Sequence, residues 1–348
     1  MNAYPLYNPF KNFQFEKKIC FLTGKPLESI DEEIQVFPTW LMQKFNLQDQ
    51  AFKMLDERIN SYKQLKMPCS AEVAEEIEKL DAEFQAAFEG GYEKIKDLPQ
   101  LTLFQWISRI VYGVVYCEIQ AGVQQQVLTG EELNFSQVLA HKFKNLHIMM
   151  QSLLYPMQFD GTWPFKIHIF KVDNPENHFS YRDEINTLVF SLRMGDFGIV
   201  ACLQDNGTNA IYHEKVLKDF ENKTLHPIQF EEICARFFYS AYLFSRLPEY
   251  TILNLPDAIY VEAMPLSEMS MKPMFDNWQV KTYGQVVENF WKPWNFTLFE
   301  IIKDPDNPIS FLYEGKNVSG ADGLNPFIEN QFELEIPIER SSIDLPLE

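Results

Sequence analysis

The first part of the chain has the apolar spacing of helices interrupted by one hairpin. Apolar residues recur at i, i+3 and i+4 within residues 36–45 (VFPTWLMQKF), and this spacing predicts a short helix. Residues 54–62 (MLDERINSY) predict a hairpin. Residues 71–96 are rich in Glu and Ala, and they predict a helix that a Gly-Gly pair interrupts near its end.

Two further helices are predicted downstream, at residues 101–120 and 131–154. The first is strongly apolar, but Arg109 and Glu118 interrupt it. A membrane span needs about 18 or more clean apolar residues. We therefore expect a buried amphipathic helix and no membrane insertion. Up to residue 154 the predicted structure is mainly helical.

After residue 155 the apolar spacing changes to that of β-strands. Residues 165–172 (FKIHIFKV) alternate with a period of two, as a half-buried strand does. Residues 187–193 and 197–204 flank the turn Met194-Gly195-Asp196, which is a strand–turn–strand pattern. These patterns predict a small antiparallel sheet.

The rest of the chain returns to helices before a mixed ending. Helices are predicted at residues 214–221 and 228–247, and a strand is predicted near residues 258–263. Further strands are predicted around Phe299 and Phe311. Together with the preceding segments, this order predicts an α+β fold.

The chain divides into three predicted parts, residues 1–96, 97–250 and 251–348. The middle part contains helices and the antiparallel sheet, and the last part is a C-terminal extension. Its final stretch, residues 325–348, holds six acidic residues and one Arg, but also many apolar residues. This composition predicts extended packing along a surface, or an edge strand, rather than simple disorder.

The composition narrows the classes of partner. The chain has 348 residues, with 30 Lys and Arg against 49 Asp and Glu, and a formal net charge of -19. So large an acid excess disfavours nucleic acid and anionic membranes, which attract Lys and Arg. The N-terminus lacks a signal-peptide pattern, and the five cysteines are scattered without a CxxC motif. We therefore expect reduced thiols and a cytoplasmic protein.

Three short motifs are the most informative feature of the sequence. They are residues 20–24 (CFLTG), 32–41 (EEIQVFPTWL) and 67–70 (MPCS). Together they resemble a bacterial family of HNH-endonuclease-like proteins. That family has, in this order, a zinc-binding CxxCG motif, an E-H-(I/V)-F-P-K-W-L stretch and a P-C-C-x-x-C-N segment. Similar segments at residues 103–106 and 193–207 extend the resemblance to about residues 18–250.

The resemblance implies an HNH-like ββα unit in the first part of the chain, but one that lacks most zinc ligands. The family binds zinc through paired cysteines, and of these only Cys20 and Cys69 remain. Thr23 replaces the second cysteine of the first pair. Ser70 and Val73 occupy cysteine positions of the second motif. We therefore expect a zinc-less unit with no bound metal or other cofactor.

The catalytic positions implied by the resemblance are also changed. HNH chemistry needs a His as general base, and an Asn or His that helps to hold the catalytic divalent ion. Gln35 stands at the position of the base, and Ala74 stands at the position of the Asn. Glu32 and Glu33 remain, although carboxylates alone also fit a solvated turn. No catalytic residue is therefore predicted.

Other catalytic motifs are missing from the sequence. GxSxG, P-loop and GxGxxG motifs do not occur, and none of the six histidines has the HxxxH or HExxH spacing of metal ligands. Cys202 lies in an apolar predicted strand, which is typical of an inert core thiol. These observations favour a protein without nucleophilic catalysis.

An aromatic segment, FWKPWNF, is a candidate interaction site. It contains Trp291, Trp294 and Phe296 next to a proline. Such residues fill a core or a seam between domains, or they anchor a protein partner. Stacking of single-stranded bases is a third alternative. In the acidic C-terminal stretch, Phe327 and Phe332 join the interaction candidates.

Two functions from different classes are compatible with these features. The favoured hypothesis is a non-catalytic protein-interaction or structural subunit of a larger assembly, built on a degenerate HNH-like scaffold and bound by protein partners. The alternative is a metal-dependent HNH-type DNA endonuclease with a rearranged site that uses Glu32, Glu33 and a displaced His. A third hypothesis is an inhibitor whose acidic surface imitates nucleic acid.

Overall fold

The computed structural model describes residues 3–30, 32–130, 135–175, 178–304 and 308–312. Its α-helices are α1 (Thr39–Lys44), α2 (Ala71–Glu89), α3 (Tyr92–Lys96), α4 (Gln100–Thr129), α5 (Gln137–Met150), α6 (Thr208–Tyr212), α7 (Glu214–Phe220), α8 (Pro227–Leu243), α9 (Leu266–Met269), α10 (Val280–Trp291) and α11 (Leu298–Ile301). Its strands are β1 (Glu33–Gln35), β2 (Ala51–Lys53), β3 (Ile59–Ser61), β4 (Lys66–Pro68), β5 (Met157–Asp160), β6 (Lys166–Val172), β7 (Phe179–Glu184), β8 (Val189–Met194), β9 (Phe197–Cys202), β10 (Thr224–Leu225), β11 (Tyr250–Asn254) and β12 (Ile259–Ala263). The protein is therefore a mixed α and β fold with small sheets, as the apolar spacing predicted.

The N-terminal part is a pair of strands followed by a helix. β1 and β4 are antiparallel, with Ile34 opposite Met67. β2 and β3 form a hairpin between them, with β3 inside the predicted residues 54–62 and β2 just before them. α2 begins just after β4, and its buried residues have helical spacing: Val73, Ile77, Leu80, Phe84 and Ala87. The predicted glycine interruption is confirmed, because Gly91 adopts a φ of 73° between α2 and α3.

A long helix lies at the centre of this half of the molecule. α4 follows Pro99 and ends at Gly130, whose φ of 74° forms a left-handed C-cap. The rings of Phe84 and Trp106 stack with their centroids 3.7 Å apart and so join α2 to α4. No helix in the described ranges, α4 included, is both long and apolar enough to cross a membrane.

The largest sheet has five strands in the order β10-β6-β9-β8-β7. Neighbouring strands are antiparallel except β10 and β6. The predicted strand–turn–strand pattern is the hairpin of β8 and β9, and Gly195 in its turn has a φ of 54°. The sequence did not predict β7 (FSYRDE), because its charged residues interrupt an apolar pattern.

A second sheet contains a parallel pair that the sequence did not predict. Its order is β11-β12-β5, and β12 is antiparallel to β11 but parallel to β5. The register places Val261 beside Phe159, so the sheet joins distant parts of the chain. The expectation of one small antiparallel sheet was therefore too simple, since this pairing leaves no local pattern in the sequence.

Two buried clusters fill the molecule. The larger extends from Phe15 to Val261 and takes in the N-terminal strands, α2, α4 and one face of the five-stranded sheet. The smaller cluster lies on the other face, which α8 and α10 cover. His226 begins α8 with a capping box, in which its ring accepts from Ile228 N (3.2 Å) and Gln229 Oε1 accepts from His226 N (2.9 Å).

Two strands predicted near the C-terminus do not occur among the described residues. Phe299 instead lies in α11, where the Thr297 hydroxyl accepts from Glu300 N (3.4 Å) in a capping box. Phe311 is 5% exposed, and its ring lies 5.0 Å from that of Trp291. A helix cap and a core contact, rather than strand pairing, therefore organise these two phenylalanines.

Candidate functional site

The first sequence motif folds into a tight loop beside β4. Gly24 N donates to Cys20 O (2.9 Å), and a φ of 70° at Gly24 closes the turn. Phe21 N donates to Pro68 O (2.8 Å), the last residue of β4. This backbone contact brings Cys20 next to Cys69, although 48 residues separate them in the chain.

Cys20 and Cys69 form a hydrogen-bonded pair, which we name the cysteine clasp. They are 0% and 3% exposed, and both thiols are free of disulfides. The hydrogen bond with Cys69 lowers the pKa of Cys20, with smaller contributions from the hydroxyls of Ser70 and Thr23. The same hydrogen bond, together with burial, raises the pKa of Cys69. The Cys69 thiol also donates to Ser70 O (3.5 Å). The clasp thus places two thiols side by side in the protein interior.

The donor atoms around the clasp do not fit the structural zinc that the resemblance implies. Ser70 Oγ lies 3.5 Å from Cys20 Sγ, and the Thr23 hydroxyl also bonds to Cys20. Two hydroxyls therefore stand where thiolates are needed, because structural zinc sites use Cys or His. No group of three or more His, Cys, Asp or Glu side chains within the described ranges is arranged to hold a metal ion.

Gln35, at the position implied for the general base, is bonded to backbone carbonyls of the segment just before β4. In the amide orientation that satisfies both partners, its side-chain nitrogen donates to Lys63 O (3.2 Å) and Leu65 O (3.3 Å). Its backbone oxygen accepts from Arg109 Nη2 (2.9 Å). An amide does not accept a proton at neutral pH, so these bonds give Gln35 a structural role.

The carboxylates proposed for the alternative nuclease site take part in local structure. Glu33 forms an ion pair with Lys66 (3.2 Å), which joins β1 to β4. Glu32 Oε1 accepts from Ser29 N (2.7 Å) and closes a turn. Ala74, at the position implied for the Asn, is half-buried in the first turn of α2. The two glutamates thus support the strand pair and the turn before it.

A buried arginine that the sequence did not single out as a site residue joins three elements. Arg109 on α4 is 1% exposed. Its Nη2 lies 3.2 Å from Asp81 Oδ2 on α2, and the same nitrogen donates to Gln35 O on β1. Burial raises the pKa of Asp81, and the nearby guanidinium opposes this shift. A charged residue within an apolar helix was the only signal of this contact in the sequence.

His147 on α5 forms a hydrogen bond to the loop of residues 20–24. It is 0% exposed, and its Nε2 donates to Phe21 O over 2.8 Å. Its Nδ1 accepts from Gln151 Nε2 over 3.4 Å. Burial lowers the pKa of His147 to about 4, so the imidazole is neutral near pH 7. Its spacing from other histidines excluded a metal pair but did not predict this anchor.

A second ionic network lies buried between the five-stranded sheet and α8. Arg193 Nε donates to Glu231 Oε1 (3.1 Å), and Arg182 Nε lies 3.4 Å from Glu231 Oε2. Arg193 also donates to Asn174 Oδ1 (2.5 Å) and bonds to His178 Nε2 (2.9 Å). The side chains of Arg193 and Glu231 are each 3% exposed. A network this enclosed joins structural elements rather than contacting a ligand.

The aromatic interaction candidates do not form an exposed anchor. Trp291 is 0% exposed and Trp294 is 6% exposed. Phe296 is partly buried, with its ring 5.2 Å from that of Trp291. The burial of both tryptophans favours the core alternative over an anchor that a partner can reach. Phe327 and Phe332 lie outside the described residues.

Known proteins offer no further assignment. The chain has no significant match among protein-family models, curated proteins or solved structures. Membership of the HNH-like family therefore remains a prediction from the three motifs.

Proposed function

We propose that this protein is a non-catalytic interaction or structural subunit of a larger assembly, built on an HNH-like unit that has lost its metal and its base. A tight loop, the antiparallel pair β1 and β4, and then α2 follow in the order that such a unit requires. The bonding of Gln35 carries the proposal, because an amide held by two backbone carbonyls replaces the proton acceptor. Protein partners and a cytoplasmic location belong to the same proposal.

The contacts of the cysteine clasp support the part of this proposal that concerns the loss of zinc. Zinc would join the loop to the start of α2 through four thiolates. Here a hydrogen bond between Cys20 and Cys69, with the Ser70 and Thr23 hydroxyls beside it, makes that connection. The loop therefore keeps its position through hydrogen bonds, and the unit can be retained as a scaffold without metal.

The alternative is a DNA endonuclease with a rearranged metal site. Such a site would require Glu33 to leave its ion pair with Lys66, or Glu32 to leave the Ser29 nitrogen. A net charge of -19 also opposes the approach of DNA. Nuclease assays on the purified protein test this alternative function.

Restoring two thiols should create a zinc site that the wild-type chain lacks. Thr23→Cys combined with Ser70→Cys adds sulfur at two side chains that already bond to Cys20. Together with the clasp this makes four thiols, the set that structural zinc prefers, and we expect about one zinc ion per chain. Elemental analysis of dialysed protein should find far less zinc in the wild type.

The matched control is Thr23→Ser combined with Ser70→Thr, which changes the same positions without adding sulfur. It should bind no more zinc than the wild type. Stoichiometric zinc in the wild-type chain would sink the claim that the metal site is lost. A folded double-cysteine variant that binds no zinc would count against the HNH-like geometry of the loop.

A further inference from the structure

Helix α7 lies between two cavities whose charge is opposite to that of the whole chain. The cavities have volumes of about 400 and 260 Å³. Their charged lining residues are Lys96, Lys166, Lys218, Glu214 and Glu221 in the first, and Lys215 and Arg236 in the second. Cations thus outnumber acids here, whereas the chain has 30 Lys and Arg against 49 Asp and Glu. An anionic group is the ligand that such a surface favours.

The smaller cavity also has an aromatic wall. Tyr212 and Trp278 line it, with stacked rings whose centroids lie 6.3 Å apart. The Tyr212 ring lies 4.4 Å from that of Phe275 and is 44% exposed as a residue. The neighbouring Ile211 is 74% exposed. Exposed aromatic and aliphatic groups beside cations fit a peptide that carries both apolar and acidic residues.

Arg236 and Lys215 supply the positive charge of this cavity. The Arg236 side chain is 25% exposed, and its Nη2 donates to Glu232 Oε1 (3.1 Å). Lys215 is exposed and has no ion pair within the described parts of the chain. Lys215 therefore lacks a neutralising carboxylate there, whereas Arg236 is paired with Glu232.

The described chain ends against α8, the helix that carries Arg236. Ser310 Oγ donates to Glu232 Oε1 (2.6 Å), the oxygen that Arg236 also contacts. Phe311 N donates to Glu232 Oε2 (2.7 Å), and Leu312 is the last described residue. Phe311 O accepts from Gln229 Nε2 (3.0 Å), about two turns of α8 before Arg236, and 36 residues follow Leu312 in the sequence. A tethered segment at such short range has an effective concentration in the millimolar range.

The sequence of that final segment complements the cavity in charge and in apolar character. Residues 325–348 contain six acidic residues and one Arg. Within them, residues 332–339 (FELEIPIE) alternate between apolar and acidic side chains with few exceptions. An extended chain with this alternation presents apolar groups on one side and carboxylates on the other.

We propose that the aromatic and basic cavity beside α7, lined by Tyr212, Trp278, Lys215 and Arg236, binds residues 325–348 of the same chain. Apolar residues of the segment contact the aromatic wall, and its carboxylates pair with the cations. This goes beyond the proposed function, because it gives the acidic segment a binding site within the protein. A partner that recognises either surface then has to displace the segment.

Zero-length coupling of the full-length protein tests this proposal. A carbodiimide joins a Lys amine to a carboxylate only where the two groups touch. We expect intramolecular crosslinks from Lys215 to acidic residues of 325–348, identified by mass spectrometry of the monomer. Arg236→Gln combined with Tyr212→Ala should lower their yield about tenfold, because two contacts of the interface are lost. Added salt should lower it further.

Internal controls make the result decisive. The crosslink between Lys218 and Glu214, whose charged atoms lie 2.6 Å apart, should form in every variant. Lys17, which is exposed in another part of the molecule, should form few crosslinks with the acidic residues of 325–348. Equal yields at Lys17 and Lys215, or no effect of the double variant, would overturn the proposal. Crosslinks found only between two chains would also overturn it, in favour of a second copy as the occupant.

Discussion

Replacing Glu231 with alanine should lower the free energy of unfolding by about 3–5 kcal/mol, the usual effect of breaking a buried ion pair. The Arg193 guanidinium, at 3.1 Å, would then lie in the interior without a carboxylate partner. Arg182, whose Nε lies 3.4 Å from the same carboxylate, would also lose this contact. Glu231 is on α8, whereas both arginines are on the sheet. The substitution should therefore weaken the packing of α8 against the sheet. Urea unfolding at pH 7.5 measures the effect.

Asp56→Ala is the matched control, because it removes one partner of an exposed ion pair with Arg58. Surface pairs of this kind contribute about 0–1 kcal/mol. If Glu231→Ala costs no more than Asp56→Ala, the buried network does not hold α8 to the sheet. An intermediate loss in Glu231→Gln, which keeps the shape and removes the charge, would separate packing from electrostatics.

The protein should lose several kcal/mol of stability when the pH falls from 7 to 5. Burial lowers the pKa of five of the six histidines below the ordinary value of 6.5, to about 3 or 4: His147, His168, His178, His213 and His226. The unfolded chain binds protons at these groups below pH 6.5, while the folded chain does not until about pH 4. Protonation therefore favours unfolding throughout this window. A fully buried imidazole contributes about 2 kcal/mol to the loss between pH 7 and 5.

A substitution at His147 tests the contribution of a single histidine to this loss of stability. Its neighbours in the described structure are neutral: the Phe21 carbonyl, the Gln151 amide, and the rings of Tyr7 and Tyr112. A proton on Nδ1 would face the amide nitrogen of Gln151, so the folded state resists it. His147→Gln keeps a donor near Phe21 and removes the titration, and it should reduce the pH dependence by about one proton. Unfolding curves whose pH dependence is the same with and without His147 would contradict this assignment.

Local patterns predicted much of the fold, because the residues that form those elements are close in sequence. The hairpin of β8 and β9 follows from two apolar runs around Gly195, and α2 follows from its helical spacing. The parallel pairing of β5 with β12 could not be predicted. Each of these strands is short, and the register of Phe159 with Val261 depends on the packing of everything between them.

The candidate site was predictable in its positions but not in its bonding. The motifs pointed to Cys20, Cys69 and Gln35, and the structure brings the two cysteines together. Two further features depend on tertiary contacts: the Gln35 side-chain amide donates to backbone carbonyls, and its backbone oxygen accepts from Arg109 on α4. For the aromatic segment, the sequence could not distinguish a place in the core from an interaction surface. A run of Trp and Phe has the same pattern in a core as on a surface, and Trp291 is buried.

Incubation of the full-length protein with supercoiled plasmid and Mg²⁺ or Mn²⁺ tests the central claim, the absence of nuclease chemistry, most directly. Because Gln35 cannot act as a base and Glu33 is paired with Lys66, we expect no nicking above the buffer blank at any protein concentration. Glu57→Ala, which removes an exposed carboxylate paired with Lys53, is the matched control for Glu33→Ala. Nicking that rises with protein concentration, persists in Glu57→Ala and disappears in Glu33→Ala would contradict the claim and establish the rearranged nuclease.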